Sequence, residues 1–150
     1  MKITISKRTD RVQLSCLRED RSYTSASVGP SLPHHDLTHY VVEKHFGLEK
    51  GFYGSIKSGY SIDQLGQTEI IRTLDPESLV AEVLTRHFQG LMEDTKKADF
   101  RELLNWEAQC TVGDFPAISD EDIDTVYLEL QKLVKEFNEL PDGGKMELEF

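Results

Sequence analysis

The sequence predicts a single α+β domain, in which a small antiparallel sheet packs against about four helices. Three observations lead to this prediction. Segments with alternating apolar residues occur at both ends of the chain, and apolar residues at helical spacing fill its middle. The chain of 150 residues has the length of one domain, and no repeat or linker divides residues 1–150.

The sheet is predicted from both ends of the chain. KITIS at residues 2–6 and VQLSC at residues 12–16 alternate apolar and polar side chains, and the charged KRTDR between them supplies a turn. SYTSASV at residues 22–28 contains good β-formers and predicts a third strand. KMELEF at residues 145–150 also alternates, and a lone strand needs a partner, so we expect it to pair with this N-terminal hairpin.

The middle of the chain predicts helices. Residues 75–94 carry the clearest helix start, because Asp75 can cap, Pro76 suits the first position and Glu77 suits the positive helix end. Residues 98–109 form a shorter candidate, and residues 118–140 begin with a capping-box pattern. Residues 61–72 have no clear period.

Charge and hydropathy narrow the classes of partner. A net charge of −10 argues against nucleic acid, because binding phosphates needs Lys and Arg. No apolar run approaches the about 20 residues that cross a bilayer, and Met1 opens onto a strand rather than a signal peptide. We therefore expect no nucleic acid or membrane partner and a cytoplasmic location. A small-molecule or protein partner stays open.

Three further features are interpreted structurally, and for two of them a functional alternative stays open. Trp106 is predicted to lie in or near the core, and an anchor for a partner protein is the alternative. Cys16 and Cys110 lack CxxC spacing and are expected to be buried or half-buried thiols. The glycines of GFYGSIKSG at residues 51–59 are expected to permit close helix packing, whereas contact of Phe52 and Tyr53 with a ligand is the alternative.

Chemistry is concentrated in LPHHDLTHYVVEKHFG at residues 32–47, which holds four of the five histidines. If this segment is helical from Pro33, each residue advances by about 100° around the axis. His34 and His45 then fall outside the polar face and are expected to be exposed. Four polar residues share one arc of about 100°, namely His35, Asp36, His39 and Glu43.

Two histidines at positions i and i+4 have the spacing of metal ligands. We therefore predict that His35 and His39 bind zinc or another divalent metal, with a third ligand from elsewhere. His87 is the predicted third ligand and Glu82 is the other candidate, and both lie in the helix predicted at residues 75–94. Glu43 is then free to orient an imidazole.

HDLTH at residues 35–39 resembles the HExxH motif of zinc metalloproteases. That resemblance implies His35 and His39 as zinc ligands and Asp36 as general base. The third-histidine continuation of the metzincins is absent. HDLTH also resembles the HDxxH zinc motif of a ubiquinone-biosynthesis family, but Gly51 stands where that family has its Glu ligand.

The longer stretch HDLTHYVVE, followed by GFYG, is similar to a small family of uncharacterised bacterial proteins. The similarity extends from KITI to the terminal ELEF, and it implies one whole domain without implying an activity.

Two hypotheses of function follow from the histidine segment. The first is a protein with a metal site, a metal-assisted hydrolase if it is an enzyme, in which Asp36 and Glu43 are the catalytic residues. A polar site without metal would use the same side chains. The second is a protein-interaction or regulatory domain whose cluster is structural, with Asp36 capping the helix.

Overall fold

A computed structural model describes residues 1–29, 32–93 and 95–150 of the chain. Four strands form one antiparallel sheet of order β3-β2-β1-β4. They are β1 (Lys2–Arg8), β2 (Arg11–Leu17), β3 (Tyr23–Val28) and β4 (Lys145–Glu149). This confirms the predicted α+β class and the pairing of the C-terminal strand with the N-terminal hairpin.

The alternation of the strands explains which face of the sheet is buried. In the register of β1 with β4, Ile3 lies opposite Leu148 and Ile5 lies opposite Met146. Because side chains of a strand point alternately to its two sides, these apolar residues share one face. That face forms the floor of the core, and its buried side chains are Ile3, Ile5, Val12, Leu14, Cys16 and Met146.

The helices between β3 and β4 cover that face. Those of the described residues are α1 (Leu32–Phe46), α2 (Phe52–Lys57), α3 (Ile62–Leu65), α4 (Thr68–Ile71), α5 (Pro76–Glu93), α6 (Lys97–Ala108) and α7 (Asp120–Glu139). The four long helices are the four that the sequence predicts, and three short ones lead from α1 to α5. Asp94, the last residue of the helix predicted at residues 75–94, lies outside the described residues.

Both predicted helix starts are confirmed. The side chain of Asp75 accepts a hydrogen bond from the backbone N–H of Glu77 at 3.0 Å, as an N-cap does. Ser119 accepts from the N–H of Asp122, whose carboxylate accepts in return from the N–H of Ser119 at 2.8 Å. These caps fix where α5 and α7 begin.

Helix α1 lies at the centre of the helical layer, in contact with α2, α5 and α7. Leu37, Val41 and Val42 are buried in the core. Its polar face is also buried, because α5 and α2 cover it, and the buried polar residues of α1 are Asp36, Thr38, His39 and Glu43. The histidine segment is therefore an interior helix.

The prediction for Trp106 is wrong. Helix α6 buries Phe100 and Leu104, which are one turn apart, and Trp106 lies about 200° around the axis from Leu104. Its side chain is 67% exposed. Of the two free cysteines, Cys16 is buried as expected but Cys110 is exposed. No helix of the described residues has the length and apolarity needed to cross a membrane.

Candidate metal centre

Two side chains of α1 and one of α5 converge on a common point. One ligating atom from each of His35, His39 and Glu82 lies within 4.8 Å of the other two. Oε2 of Glu82 is 3.2 Å from Nε2 of His39 and 3.8 Å from Nε2 of His35. The structure thus brings the two predicted histidine ligands together with Glu82, one of the two candidates for the third ligand.

The other ring nitrogen of each histidine faces a protein oxygen. Nδ1 of His39 lies 2.9 Å from Oε1 of Glu43, and Nδ1 of His35 lies 3.1 Å from Oε1 of Gln89. A histidine that donates from Nδ1 to an oxygen presents the lone pair of Nε2 to a metal. Both imidazoles are therefore oriented in the same way, with Nδ1 towards an acceptor and Nε2 towards Glu82.

Glu43 is fixed by the backbone at the start of α2. It is 1% exposed, and its carboxylate accepts hydrogen bonds from the N–H groups of Phe52 at 2.8 Å, Tyr53 at 2.9 Å and Gly54 at 3.3 Å. With His39, these donors satisfy a carboxylate that would otherwise be costly to bury. Glu43 therefore positions His39 and ties α1 to α2.

The glycines of the GFYG segment permit this close approach. A Cβ atom at Gly51 would overlap the carboxyl group of Glu43, and one at Gly54 would overlap the backbone carbonyl of Glu49. Both positions therefore require glycine for packing, as the sequence led us to expect. Of the two aromatic residues, Tyr53 is fully buried, whereas the half-buried Phe52 lies beside His39 with ring centroids 5.3 Å apart.

We expect Gly51→Ala to destabilise the protein by about 1–3 kcal/mol, because the added methyl group must displace the Glu43 carboxylate. Urea unfolding followed by circular dichroism measures this loss. Gly66→Ala is the matched control, because a Cβ there meets only an ordinary contact at 3.6 Å. A control loss as large as that of Gly51→Ala would contradict the steric explanation.

The charges of the cluster are strongly coupled. Burial alone would lower the pKa of His39, but its hydrogen bonds with Glu43 and Glu82 outweigh burial and raise that pKa to about 9. Burial lowers the pKa of His35, and the neighbouring His39 lowers it further. The hydrogen bond with His39 lowers the pKa of Glu82. Protonated His39 thus lies between two carboxylates, and a metal held by Nε2 of His39 would have to displace the proton there.

Asp36, the predicted general base, lies on the inward side of α1. It is 6% exposed, and neither its Oδ2 nor the hydroxyl of Tyr53 has a hydrogen-bond partner among the described residues. Burial raises the pKa of Asp36 to about 6. Burial also raises the pKa values of Tyr53 and Cys16, and the charge of Asp36 raises them further. Helix α1 begins at Leu32, so the alternative that Asp36 caps it is wrong.

His87, the predicted third ligand, lies outside the group formed by His35, His39 and Glu82. Its Nε2 is 2.8 Å from Oε2 of Glu107 on α6. His87 follows Glu82 by five residues, which puts the two side chains about 140° apart around α5. Glu82 faces α1, and His87 consequently faces α6.

The remaining histidines pair with α7. Nε2 of His34 lies 3.2 Å from Asn138, and Nε2 of His45 lies 2.8 Å from Asp122. His45 is exposed as expected, whereas His34 is half-buried. Neither belongs to the group formed by His35, His39 and Glu82.

A small cavity of about 180 Å³ adjoins the cluster and is lined by both His39 and Glu82. Phe52 forms one wall, and apolar side chains of the segment from α3 to the start of α5 form the others. A larger groove of about 560 Å³ lies between α1 and α7, but none of the three converging side chains lines it. The cavity that matters for chemistry at the cluster is therefore the small one.

Sequence reasoning missed Gln89 and this cavity. Gln89 follows Glu82 by seven residues, a spacing of about two turns that places both on one face of α5. Two of the cavity's apolar wall residues, Leu65 and Ile71, come from residues 61–72, where the pattern has no clear period.

The chain matches no protein-family model, no curated protein and no solved structure. The resemblances of HDLTH and GFYG to other families therefore stay predictions.

Proposed function

We propose that the protein binds one divalent metal ion, with zinc as the first choice, through His35, His39 and Glu82. The observation that carries this proposal is the shared orientation of the two imidazoles, whose Nε2 atoms both face the carboxylate of Glu82. Two histidines and one carboxylate are the ligand set of many catalytic zinc sites and of non-haem iron sites. Glu43 and Gln89 supply the oxygens that hold such imidazoles in place.

Three protein ligands leave a position for water, and a zinc ion lowers the pKa of bound water to about 7. The cavity beside His39 and Glu82 gives a substrate a place next to that position. We therefore propose metal-assisted hydrolysis, in the cytoplasm, as the reaction class. Glu43 is saturated with hydrogen bonds and acts by positioning His39. Asp36 is the remaining carboxyl group of the predicted set, and no contact with the three ligands supports it as the base.

A structural role for the cluster is the second candidate. Protonated His39 between the buried Glu43 and the half-exposed Glu82 completes a partly buried network of hydrogen bonds without any ion. On α6, Trp106 is 67% exposed and Leu103 is 49% exposed, which favours a protein contact on that helix. In this case the protein is a non-enzymatic interaction domain.

Metal analysis of the untagged protein tests the first proposal. We expect about one equivalent of zinc, and we expect zinc added to metal-free protein at about 100 times its Kd to raise Tm by about 5–10 °C. His35→Ala should abolish this rise, since it removes one ligand. His34→Ala is the matched control, and it should keep the full rise because His34 lies outside the cluster.

The structural candidate predicts a different result. The purified protein would then contain no metal near one equivalent, and neither wild type nor His35→Ala would change its Tm when zinc, iron(II) or manganese is added. This outcome would rule out the metal proposal.

A further inference from the structure

We propose that the cavity beside His39 and Glu82 binds a small, uncharged molecule with an apolar body and one oxygen-donor end. The oxygen faces the metal position, and the apolar body fills the cavity. This inference rests on the proposed metal site and names the class of substrate that the site accepts.

The volume of the cavity limits the size of the ligand. It measures about 180 Å³, somewhat more than the about 150 Å³ of an engineered apolar cavity that holds benzene. A single six-membered ring or a short branched chain therefore fits, whereas a nucleotide or a peptide of several residues does not.

The lining favours an apolar and uncharged ligand. Besides His39 and Glu82, the polar side chains of the lining are Ser55 and Ser78, and no Lys or Arg lines the cavity among the described residues. Away from the proposed metal position, a phosphate or carboxylate group would normally require such cations. The net charge of −10 further opposes anions. The apolar walls are Phe52, Leu65, Ile71, Leu74 and Leu79.

The wall formed by α3 and α4 gives a ligand access to the cavity. Neither α3 nor α4 contains a fully buried residue, so this part of the chain is held by little buried apolar surface. Segments of that kind open locally at low free-energy cost. At the rim, Ile71 is 42% exposed and Leu79 is 43% exposed, and apolar side chains grouped at a cavity mouth are typical of ligand sites.

Two hydroxamates test the inference on zinc-loaded protein. Benzohydroxamate and acetohydroxamate place the same oxygen-donor group on a metal, and they differ in carrying a phenyl ring or a methyl group. We expect the phenyl compound to bind about tenfold more tightly or better, because its ring is buried in the cavity. Isothermal titration calorimetry measures both affinities, and titration of free zinc corrects for the intrinsic difference between the two compounds.

A matched pair of variants tests whether the preference for the phenyl compound arises in the cavity. Ile71→Asp adds a charge at the cavity rim, whereas Leu103→Asp adds one to α6. The side chains of Ile71 and Leu103 are similarly exposed, at 42% and 49% respectively. We expect Ile71→Asp to reduce the preference for the phenyl compound to less than about threefold, since a charge at the rim opposes the apolar ring. Leu103→Asp should leave the preference and the zinc affinity unchanged.

The outcomes separate this inference from the metal proposal. If zinc binds but the two hydroxamates bind equally, or if both variants behave alike, the inference is overturned and the metal site stands. If no metal binds, benzyl alcohol titrated into the metal-free protein decides whether the cavity takes an apolar molecule. NMR shifts confined to the methyl groups of Leu65, Ile71 and Leu74 would support binding of an apolar molecule in the cavity. The absence of shifts at millimolar concentration would overturn it.

Discussion

Glu43→Ala is expected to lower the free energy of unfolding by about 3–5 kcal/mol, the largest loss that we predict for a single substitution. The change leaves the backbone N–H groups of Phe52, Tyr53 and Gly54 without their acceptor. It also removes the carboxylate that faces Nδ1 of the buried His39. Urea unfolding of the metal-free protein, followed by circular dichroism, measures the loss.

Two further variants sharpen this test. Glu49→Ala is the matched control, because Glu49 is exposed, and it should change stability by less than about 0.5 kcal/mol. Glu43→Gln keeps the volume and one acceptor oxygen, so we expect a smaller loss of stability together with a zinc affinity weakened by about 10–100-fold. A purely structural Glu43 would not alter zinc binding. A Glu43→Ala protein within about 1 kcal/mol of wild type would contradict the assigned hydrogen bonds.

The predictable part of the site comes from helical geometry within one segment. His35 and His39 share a face whenever residues 32–46 are helical, and the structure keeps both Nε2 atoms on that face. Helical geometry within one segment does not decide whether Glu82 or His87 approaches the two histidines. That choice depends on how α5 is rotated against α1, which is set by packing between segments far apart in the sequence. The need of His87 for a partner was predictable, but the partner, Glu107, belongs to α6.

The predictable part of the fold likewise comes from short-range patterns. Alternation identifies the strands, and caps identify the starts of α5 and α7. Such patterns do not predict the exposure of Trp106. Burial on α6 depends on which side of the helix α5 covers and not on the size of a side chain. The cavity depends on α3 and α4, which have no buried stripe and hence no period to detect.

Asp36 lowers the stability of the folded protein, and the helical pattern of the sequence does not reveal this. Asp36 shares an arc of α1 with His35 and His39, yet its side chain is buried in the core. Its Oδ2 has no hydrogen-bond partner among the described residues. Burying a carboxylate without a partner disfavours its charged form, which is why the pKa of Asp36 is raised to about 6. A residue that costs stability is of the kind that proteins retain for function.

Asp36→Asn is therefore expected to stabilise metal-free protein at pH 7, by about 3 kcal/mol. Burial raises the pKa of Asp36 from 3.8 to about 6, so between these pH values the folded chain holds a proton that the unfolded chain has released. The stability of wild type consequently falls as the pH rises through this window, and it stays lower above it. Asparagine carries no such charge, so the advantage of the variant should be small near pH 3 and constant above about pH 7. Urea unfolding across this range, with exposed Asp142→Asn as the control, measures the difference. Parallel profiles for wild type and Asp36→Asn would show that Asp36 ionises as an exposed carboxyl group does, and would contradict its buried position.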